Sequence, residues 1–250
     1  FKKSCNIRIL EKSNLLKKIQ KKVIKNHEIK WLNDLKELNN LPCVFIANEF
    51  FDSLPIKQFI KKENKWHERH VKFNDKLKPE FLDLPFDIKK FEKRIKLKIS
   101  ENQKFIEYSP LTSKYLESIT SMIKLNDGGI LIIDYGYIDK KMKNTLQAVY
   151  RHKYIDVLKS FGNSDITYNL NFYLINRMIK NMGIFFQKTT TQKEFLTKLG
   201  ILNRAEILSK NMPFSKKADI YFRLKRLIDD KQMGSLFKVL SVSNKKINLD

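Results

Sequence analysis

Two kinds of hydrophobic spacing alternate along the chain, and together they predict an α/β protein. Uninterrupted apolar runs at residues 43–47 and 130–133 are typical of parallel strands that helices cover on both faces. Other stretches place apolar residues three or four positions apart, as at Leu15, Ile19 and Val23, which is the spacing of an amphipathic helix. This alternation of strands and helices predicts a mostly parallel, doubly wound sheet.

Local signals mark the ends of several predicted elements. A short strand at 6–10 is followed by Ser13, which can cap the first helix, and Ser109 can cap a helix that runs to about 125. Thr191 and Glu194 have the spacing of a capping box, and an apolar run at 236–242 predicts a closing strand.

From residue 56 to residue 77 the apolar spacing changes to every second position. Turn-forming residues at 62–65 and 74–76 divide this stretch, which predicts an antiparallel meander inserted after a parallel strand. We expect one domain over 1–250 with an inserted subdomain at 56–99 on the substrate side.

The composition narrows the classes of partner. The net charge of +23 invites a nucleic-acid role, but only eight of the 50 basic residues are arginine and the lysines are spread over the whole chain. Such a distribution favours a solvated lysine surface over nucleic-acid recognition. No apolar run approaches the roughly 18 residues of a membrane span. Cys5 and Cys43 lie in strand-like runs, which predicts buried thiols in a reducing compartment.

Polar residues stand where predicted parallel strands end, which is where open α/β sheets bind ligands. Glu11 follows the first strand, and either accepts hydrogen bonds from ribose hydroxyls or is a solvated acid at a helix start. Asn48, Glu49 and Asp52 follow the run at 43–47, and packing these groups at the mouth of a buried strand would cost desolvation unless a cationic or hydrogen-bonding partner meets them. Helix capping explains one of these three groups but not all of them.

Four further residues are candidates for substrate binding. Asp134 and Tyr135 follow the run at 130–133, and Gln147 and His152 lie in a polar, aromatic region that we expect to cover the site. Each has an ordinary structural alternative, such as a turn acid, rim packing or a structural histidine. His67 and His70 lack a third ligand, so no metal site is predicted.

Seven segments in sequence order resemble the MidA family of class I methyltransferases. They are ANEFFDSLPIKQF (47–59), WHER (66–69), GGILIIDYGY (128–137), TLQAVYRH (145–152), DIT (165–167), TQKEFLTKLGILNRAEIL (191–208) and MGSLFKVL (233–240). The resemblance runs from about residue 9 to residue 240. It implies a Rossmann-like sheet with an antiparallel last strand, and methyl transfer from S-adenosylmethionine.

The resemblance also implies roles for particular residues. Glu11 resembles the family's ribose-binding acid, and Trp31 and Asp34 fall where the family passes the adenine. Asn48, Glu49 and Asp52 match the NEFFD box beside the methyl donor, with Glu49 and Asp52 as the catalytic pair. Because a guanidinium stays charged, a carboxylate pair can orient it for in-line transfer.

The family includes a mitochondrial protein-arginine methyltransferase that assists respiratory complex I assembly. The resemblance therefore implies a protein substrate, such as a subunit of a respiratory complex, and a location in a bacterial cytoplasm or a mitochondrial matrix. The alternative is an assembly or scaffold protein that keeps the fold without catalysis.

The chain departs from the family before Glu11, where the glycine-rich cofactor loop after the first strand is missing. The first residue is Phe1 rather than Met. We expect the sequence to be an amino-terminally truncated fragment that begins near the second strand and binds cofactor poorly by itself.

Overall fold

The structure is a computed structural model that describes residues 5–25, 27–38 and 40–245. The helices are α1 (Asn14–Val23), α2 (Ile88–Ile95), α3 (Pro110–Asn126), α4 (Phe172–Asn181), α5 (Gln192–Lys198), α6 (Ile201–Ser209), α7 (Phe214–Ile228) and α8 (Met233–Leu236). The strands are β1 (Ile7–Leu10), β2 (Ile29–Leu32), β3 (Cys43–Asn48), β4 (Lys57–Lys62), β5 (Lys65–Phe73), β6 (Pro79–Pro85), β7 (Phe105–Tyr108), β8 (Gly128–Tyr137), β9 (Gln147–Tyr150), β10 (Lys153–Ile155), β11 (Asp165–Thr167), β12 (Leu170–Asn171), β13 (Phe186–Thr191) and β14 (Phe237–Ser243). None of the helices in these ranges is both long and apolar enough to cross a bilayer.

The main sheet is built around β8. β3 lies parallel to β8 on one side, with Phe45 opposite Ile130. β14 lies antiparallel to β8, and β13 pairs with β14 in turn. β12 adds a two-residue parallel pairing to the end of β8. The predicted Rossmann-like α/β fold with an antiparallel last strand is confirmed.

One face of β8 carries the core. Ile130 and Ile132 are buried on this face, where α3 and α4 pack against the strand. Side chains along β8 alternate between buried and half-buried, as expected for a strand whose two faces have different surroundings. Asp134 continues the buried row, so the apolar face ends in a carboxyl group.

β3 is covered on one face only. Phe45 packs against the core, but Val44 and Ile46 on the opposite face are 78% and 71% exposed. In the described ranges β3 pairs with β8 alone. The prediction of a strand covered on both faces is therefore wrong for one face, because no described element packs there.

β1 and β2 form a separate two-stranded parallel sheet, joined by α1. α1 is amphipathic, yet none of its residues is buried, and Leu15 is 68% exposed. Cys5 precedes β1 and is exposed, and Cys43 is only half-buried. The expectation of two buried thiols is wrong, since the elements that carry them are incompletely covered.

The predicted meander is present as β4, β5 and β6 in antiparallel order. It is extended by β7, which pairs with the other edge of β4 and lies beyond the expected boundary at residue 99. Whether this four-stranded sheet acts on the substrate side stays a prediction.

A buried carboxylate on β7 ties the meander to the segment that follows β8. Glu107 accepts hydrogen bonds from Gln58 Nε2 at 2.9 Å, from Thr145 N at 3.0 Å and from Leu146 N at 3.2 Å. Thr145 Oγ1 donates a further bond of 2.6 Å. Because all these donors bind one buried carboxylate, the position of the meander relative to the segment after β8 is fixed.

The end of β8 requires glycine at position 136. A Cβ there would lie 2.4 Å from the carbonyl oxygen of Leu170 and 2.6 Å from the ring of Phe172. We expect Gly136→Ala to lower the free energy of unfolding by about 3 kcal/mol, because backbone and ring must both shift. Urea unfolding measures this change.

Gly200→Ala is the matched control. Nothing lies within 4 Å of a Cβ at Gly200, whose φ of +78° leaves only the cost of a left-handed alanine, about 1 kcal/mol. An equal loss in both variants would contradict the close approach at Gly136.

Candidate functional site

The candidate site begins with the turn that follows β3. Glu49 has a φ of +47°, in the left-handed region, and its amide donates to the carbonyl oxygen of Ile133 at 3.0 Å. The next residues bring Phe51 into the core, where it has no exposed surface. The chain thus turns sharply at the end of the parallel strand, next to β8.

Asp134 holds this turn from β8. Its Oδ2 accepts hydrogen bonds from the amides of Phe51 at 3.1 Å and Asp52 at 3.3 Å, and its Oδ1 accepts one from Tyr135 N at 2.9 Å. Asp134 has no exposed surface, so the structure gives it no direct contact with a substrate. Two of its three hydrogen bonds reach the backbone of the turn.

Asp52 and Asp134 are neighbouring buried acids. Burial raises the pKa of Asp52 to about 6, with a smaller contribution from the charge of Glu49. Burial also raises the pKa of Asp134 to about 8, assisted by the charge of Asp52. Asp52 Oδ1 is buried without a hydrogen-bond partner among the described residues. Such a cluster favours a proton or a cation.

The exposed side of the turn carries Asn48 and Glu49. Asn48 Nδ2 lies 3.4 Å from Glu49 Oε1. Burial raises the pKa of the Tyr135 phenol, and the charges of Glu49 and Asp52 raise it further. The structure therefore brings five predicted site residues together: Asn48, Glu49, Asp52, Asp134 and Tyr135.

A second polar cluster lies at the end of β1. Glu11 Oε1 accepts a bond from Ser13 N at 2.8 Å, and Glu11 Oε2 accepts one from Gln20 Nε2 at 3.1 Å. Gln20 Oε1 in turn accepts from the Trp31 indole at 2.7 Å. The network fixes the half-buried Trp31 ring relative to the Glu11 carboxylate.

Tyr115 on α3 links the two clusters. The Lys12 ammonium lies 5.9 Å from the centroid of the Tyr115 ring, and the Phe50 ring lies 5.1 Å from it on centroids. Lys12 and Phe50 directly follow Glu11 and Glu49 in sequence. The strand ends that carry these two carboxylates therefore meet at one aromatic ring.

Asp34 has a local structural role. It caps the 3-10 turn Leu35–Glu37, accepting a bond from Lys36 N at 2.9 Å, while Glu37 Oε1 accepts from the Asp34 amide at 3.0 Å. This capping box accounts for the position of the carboxylate. Adenine binding by Asp34 stays a prediction.

Gln147 lies in β9, which forms a three-stranded sheet with β10 and β11, and His152 follows in the turn to β10. Gln147 Nε2 donates to Thr167 Oγ1 at 3.2 Å across that sheet. His152 is exposed at the tip of the turn between β9 and β10, where it has a φ of +62°. Substrate binding by these two residues stays a prediction.

Sequence reasoning missed Gln20 and Tyr115. Gln20 is a polar position on an amphipathic helix, and Tyr115 belongs to a helix with many polar residues. Neither carries a motif, and their importance comes only from the partners that tertiary contacts bring to them.

Comparison with known proteins identifies the family. Residues 1–190 match the family described as "Putative S-adenosyl-L-methionine-dependent methyltransferase". The chain belongs to this methyltransferase family. The resemblance to the MidA family is thereby confirmed.

The chain is similar to a curated protein, the mitochondrial protein arginine methyltransferase NDUFAF7 of Danio rerio. It is 26% identical over 216 residues, which cover 86% of this chain and 51% of the relative. The chain spans about half the length of the curated relatives it matches.

Two solved structures from Burkholderia thailandensis, both of the COG1565 superfamily, share the fold. One has a TM-score of 0.81 and 24% identity, covering 95% of this chain and 66% of the other. The second, crystallised with S-adenosyl-homocysteine, has a TM-score of 0.79 and 21% identity, covering 98% and 66%.

Acceptor and aromatic groups at the end of β1 and in β2 could hold the nucleoside part of S-adenosylmethionine. Glu11 offers carboxylate acceptors for hydroxyl groups, and Trp31 offers an aromatic ring beside them. The chain has no glycine before Gly128, so its own sequence supplies no glycine-rich turn before α1.

The buried acids predict how stability depends on pH. Folded Asp52 and Asp134 hold protons to higher pH than unfolded aspartates, since the pKa of each is raised to about 6 and about 8. Their contribution therefore disfavours folding increasingly from about pH 4 to about pH 8. We expect Asp52→Asn to flatten this decline, measured by urea unfolding between these limits.

Asp83→Asn provides the comparison. The Arg69 ion pair lowers the pKa of Asp83, so above pH 5 the loss of this carboxylate should lower stability uniformly without changing the slope. If Asp52→Asn behaved in the same way, the raised pKa of Asp52 would be refuted.

Proposed function

We propose that this protein transfers a methyl group from S-adenosylmethionine to an arginine nitrogen of a protein. The observation that carries the proposal is the cluster of Glu49, Asp52 and Asp134 at the turn after β3. Membership of the methyltransferase family supports the reaction class, and the printed name of the curated relatives supports arginine as acceptor.

The electrostatics of the turn favour a cationic acceptor. Glu49 is exposed and available to a guanidinium, whereas Asp52 is buried and has an oxygen without a partner in the described chain. A cation at Glu49 would relieve the repulsion that helps to raise the pKa of Asp52. Arginine suits this position because its planar fork can bind a carboxylate with two hydrogen bonds.

S-adenosylmethionine would supply an electrophilic methyl carbon on a sulfonium. Glu49 would orient the attacking nitrogen, and Asp52, with a pKa of about 6, can hold the proton that this nitrogen releases on methylation. Glu11 and Asn48 would bind the nucleoside from the two strand ends, with Trp31 beside the adenine. Positioning and exclusion of water supply most of the acceleration in such transfers.

The proposal extends to partners and location through the family resemblance. The acceptor would be a protein such as a respiratory complex subunit, methylated during complex I assembly. The reaction would take place in a mitochondrial matrix or a bacterial cytoplasm.

Glu49→Gln tests the acceptor side in the full-length protein. We expect transfer of labelled methyl groups to arginine in extract proteins to fall roughly 10²-fold, because the neutral amide no longer orients the cation. Binding of S-adenosyl-homocysteine should stay within about twofold by calorimetry. The product is identified as methylarginine by mass spectrometry.

Glu63→Gln is the control for Glu49→Gln. Glu63 is exposed and also has a φ of +47°, but it lies in the turn between β4 and β5. The Glu63→Gln variant should transfer methyl groups at the same rate as the unmutated protein. Undiminished transfer by Glu49→Gln would remove Glu49 from the mechanism.

Glu11→Gln tests the cofactor side. Losing a charged acceptor for the ribose hydroxyls should raise the Kd for S-adenosyl-homocysteine roughly tenfold. Glu28→Gln removes an exposed acid outside this cluster and should leave the Kd unchanged. Equal Kd values for Glu11→Gln and the parent protein would argue against ribose binding by Glu11.

A scaffold protein that keeps the methyltransferase fold without catalysis is the second candidate. It predicts binding of a partner protein with no measurable affinity for S-adenosyl-homocysteine in the full-length protein. Measured cofactor binding together with methyl transfer would exclude it.

A further inference from the structure

Asp134 occupies a core position on β8. It follows Ile130 and Ile132 in the row of side chains that α3 and α4 cover, and all three are almost fully buried. An apolar residue would fill this position without the cost of removing a carboxyl group from water. The benefit of the carboxyl group must come from the groups that it contacts.

The contacts of Asp134 are backbone amides on two strand ends. Phe51 and Asp52 donate to Oδ2, and Tyr135 donates to Oδ1, at distances between 2.9 and 3.3 Å. No side chain competes for these oxygens among the hydrogen bonds of the described residues. The carboxyl group thus connects the turn after β3 to the end of β8.

The turn that Asp134 holds has an unfavourable backbone conformation at Glu49. The φ of +47° at this non-glycine residue costs on the order of 1 kcal/mol and needs support from neighbouring contacts. The Glu49 amide is fixed on Ile133, and the carbonyl oxygen of Asp52 accepts from Tyr168 N at 3.2 Å. Between these two hydrogen bonds, Asp134 accepts one bond from the Phe51 amide and one from the Asp52 amide.

We propose that Asp134 is a positioning residue: through the amides of Phe51 and Asp52 it sets the direction in which Glu49 meets the methyl acceptor. This role rests on the proposed function, because it assigns Glu49 to the acceptor. It differs from the substrate contact that the sequence alone predicts for Asp134. The carboxyl group acts without touching substrate or cofactor.

Leucine is the informative replacement at position 134. Its branched side chain has nearly the same size as that of aspartate, but it carries no hydrogen-bond acceptor. The amides of Phe51, Asp52 and Tyr135 therefore all lose their acceptor. Asp134→Leu breaks the connection between the turn and β8 while it leaves the core filled.

Hydrogen exchange and kinetics on the full-length protein test the proposal together. In Asp134→Leu we expect amide exchange in residues 49–54 to accelerate at least about tenfold. Methyl transfer from labelled S-adenosylmethionine to extract proteins should fall roughly 10²-fold in kcat. The Kd for S-adenosyl-homocysteine should stay within about twofold, a separation that general destabilisation would not produce.

Asp139→Leu is the matched control. Asp139 follows β8 and accepts a local bond from Lys141 N at 3.0 Å, with no contact to the turn. It should change neither exchange nor transfer. Unchanged exchange at 49–54 in Asp134→Leu, or parallel losses of transfer and cofactor binding, would overturn the proposal.

The unmutated protein offers a second measurement that does not depend on folding of the variant. As Asp134 gains a proton, the amide resonances of Phe51 and Tyr135 should shift upfield together, with one apparent pKa. Independent titration of these two amides would refute the connection. If the parent transferred no methyl group, the proposed function would fail, yet the titration would still decide whether Asp134 holds the turn.

Discussion

The parallel pairing of β3 with β8 is the constraint on which the candidate site depends. Two parallel strands in register end at the same edge of a sheet, so Asn48 comes to lie opposite Ile133 and the next residues meet Asp134. From this pairing follow the bond from Glu49 N to Ile133 O and the bonds from Asp134 to the turn. A slip of one residue would exchange the two faces of β3 and send Phe45 and Ala47 away from the core.

The same geometry concentrates acids in a protein with a net charge of +23. Asp52 and Asp134 are almost fully buried and near each other, and burial is the first cause of the raised pKa of each. Buried acids that repel one another lower the stability of the fold. Under the proposed function this cost is reasonable, because a cationic acceptor would gain from the negative charge and a positioned turn would gain from its hydrogen bonds to Asp134.

Among the described residues, side chains rather than strand pairing connect the β1–β2 sheet to the main sheet. Lys12, Tyr115 and Phe50 make one such connection, and the outer face of β3 and the apolar face of α1 are exposed in the described chain. Large exposed apolar surfaces usually mark places where further polypeptide packs. Within the described chain, the position of the Glu11 cluster relative to the Glu49 cluster depends on the contacts of Lys12 and Phe50 with Tyr115.

The sequence by itself determined the alternation of strands and helices, the meander, the polar strand ends and the family. These features follow from the local spacing of apolar residues and from short motifs, both of which are visible in the order of residues. Only the tertiary structure decided that Asp134 is buried and hydrogen-bonded to the turn, and that Gln20 and Tyr115 contact the candidate site residues. It also decided that β7 belongs to the meander and that one face of β3 is exposed in the described chain. The burial of a side chain and its hydrogen-bond partners depend on residues far apart in the chain, such as Phe51 and Asp134. No local sequence pattern encodes those contacts.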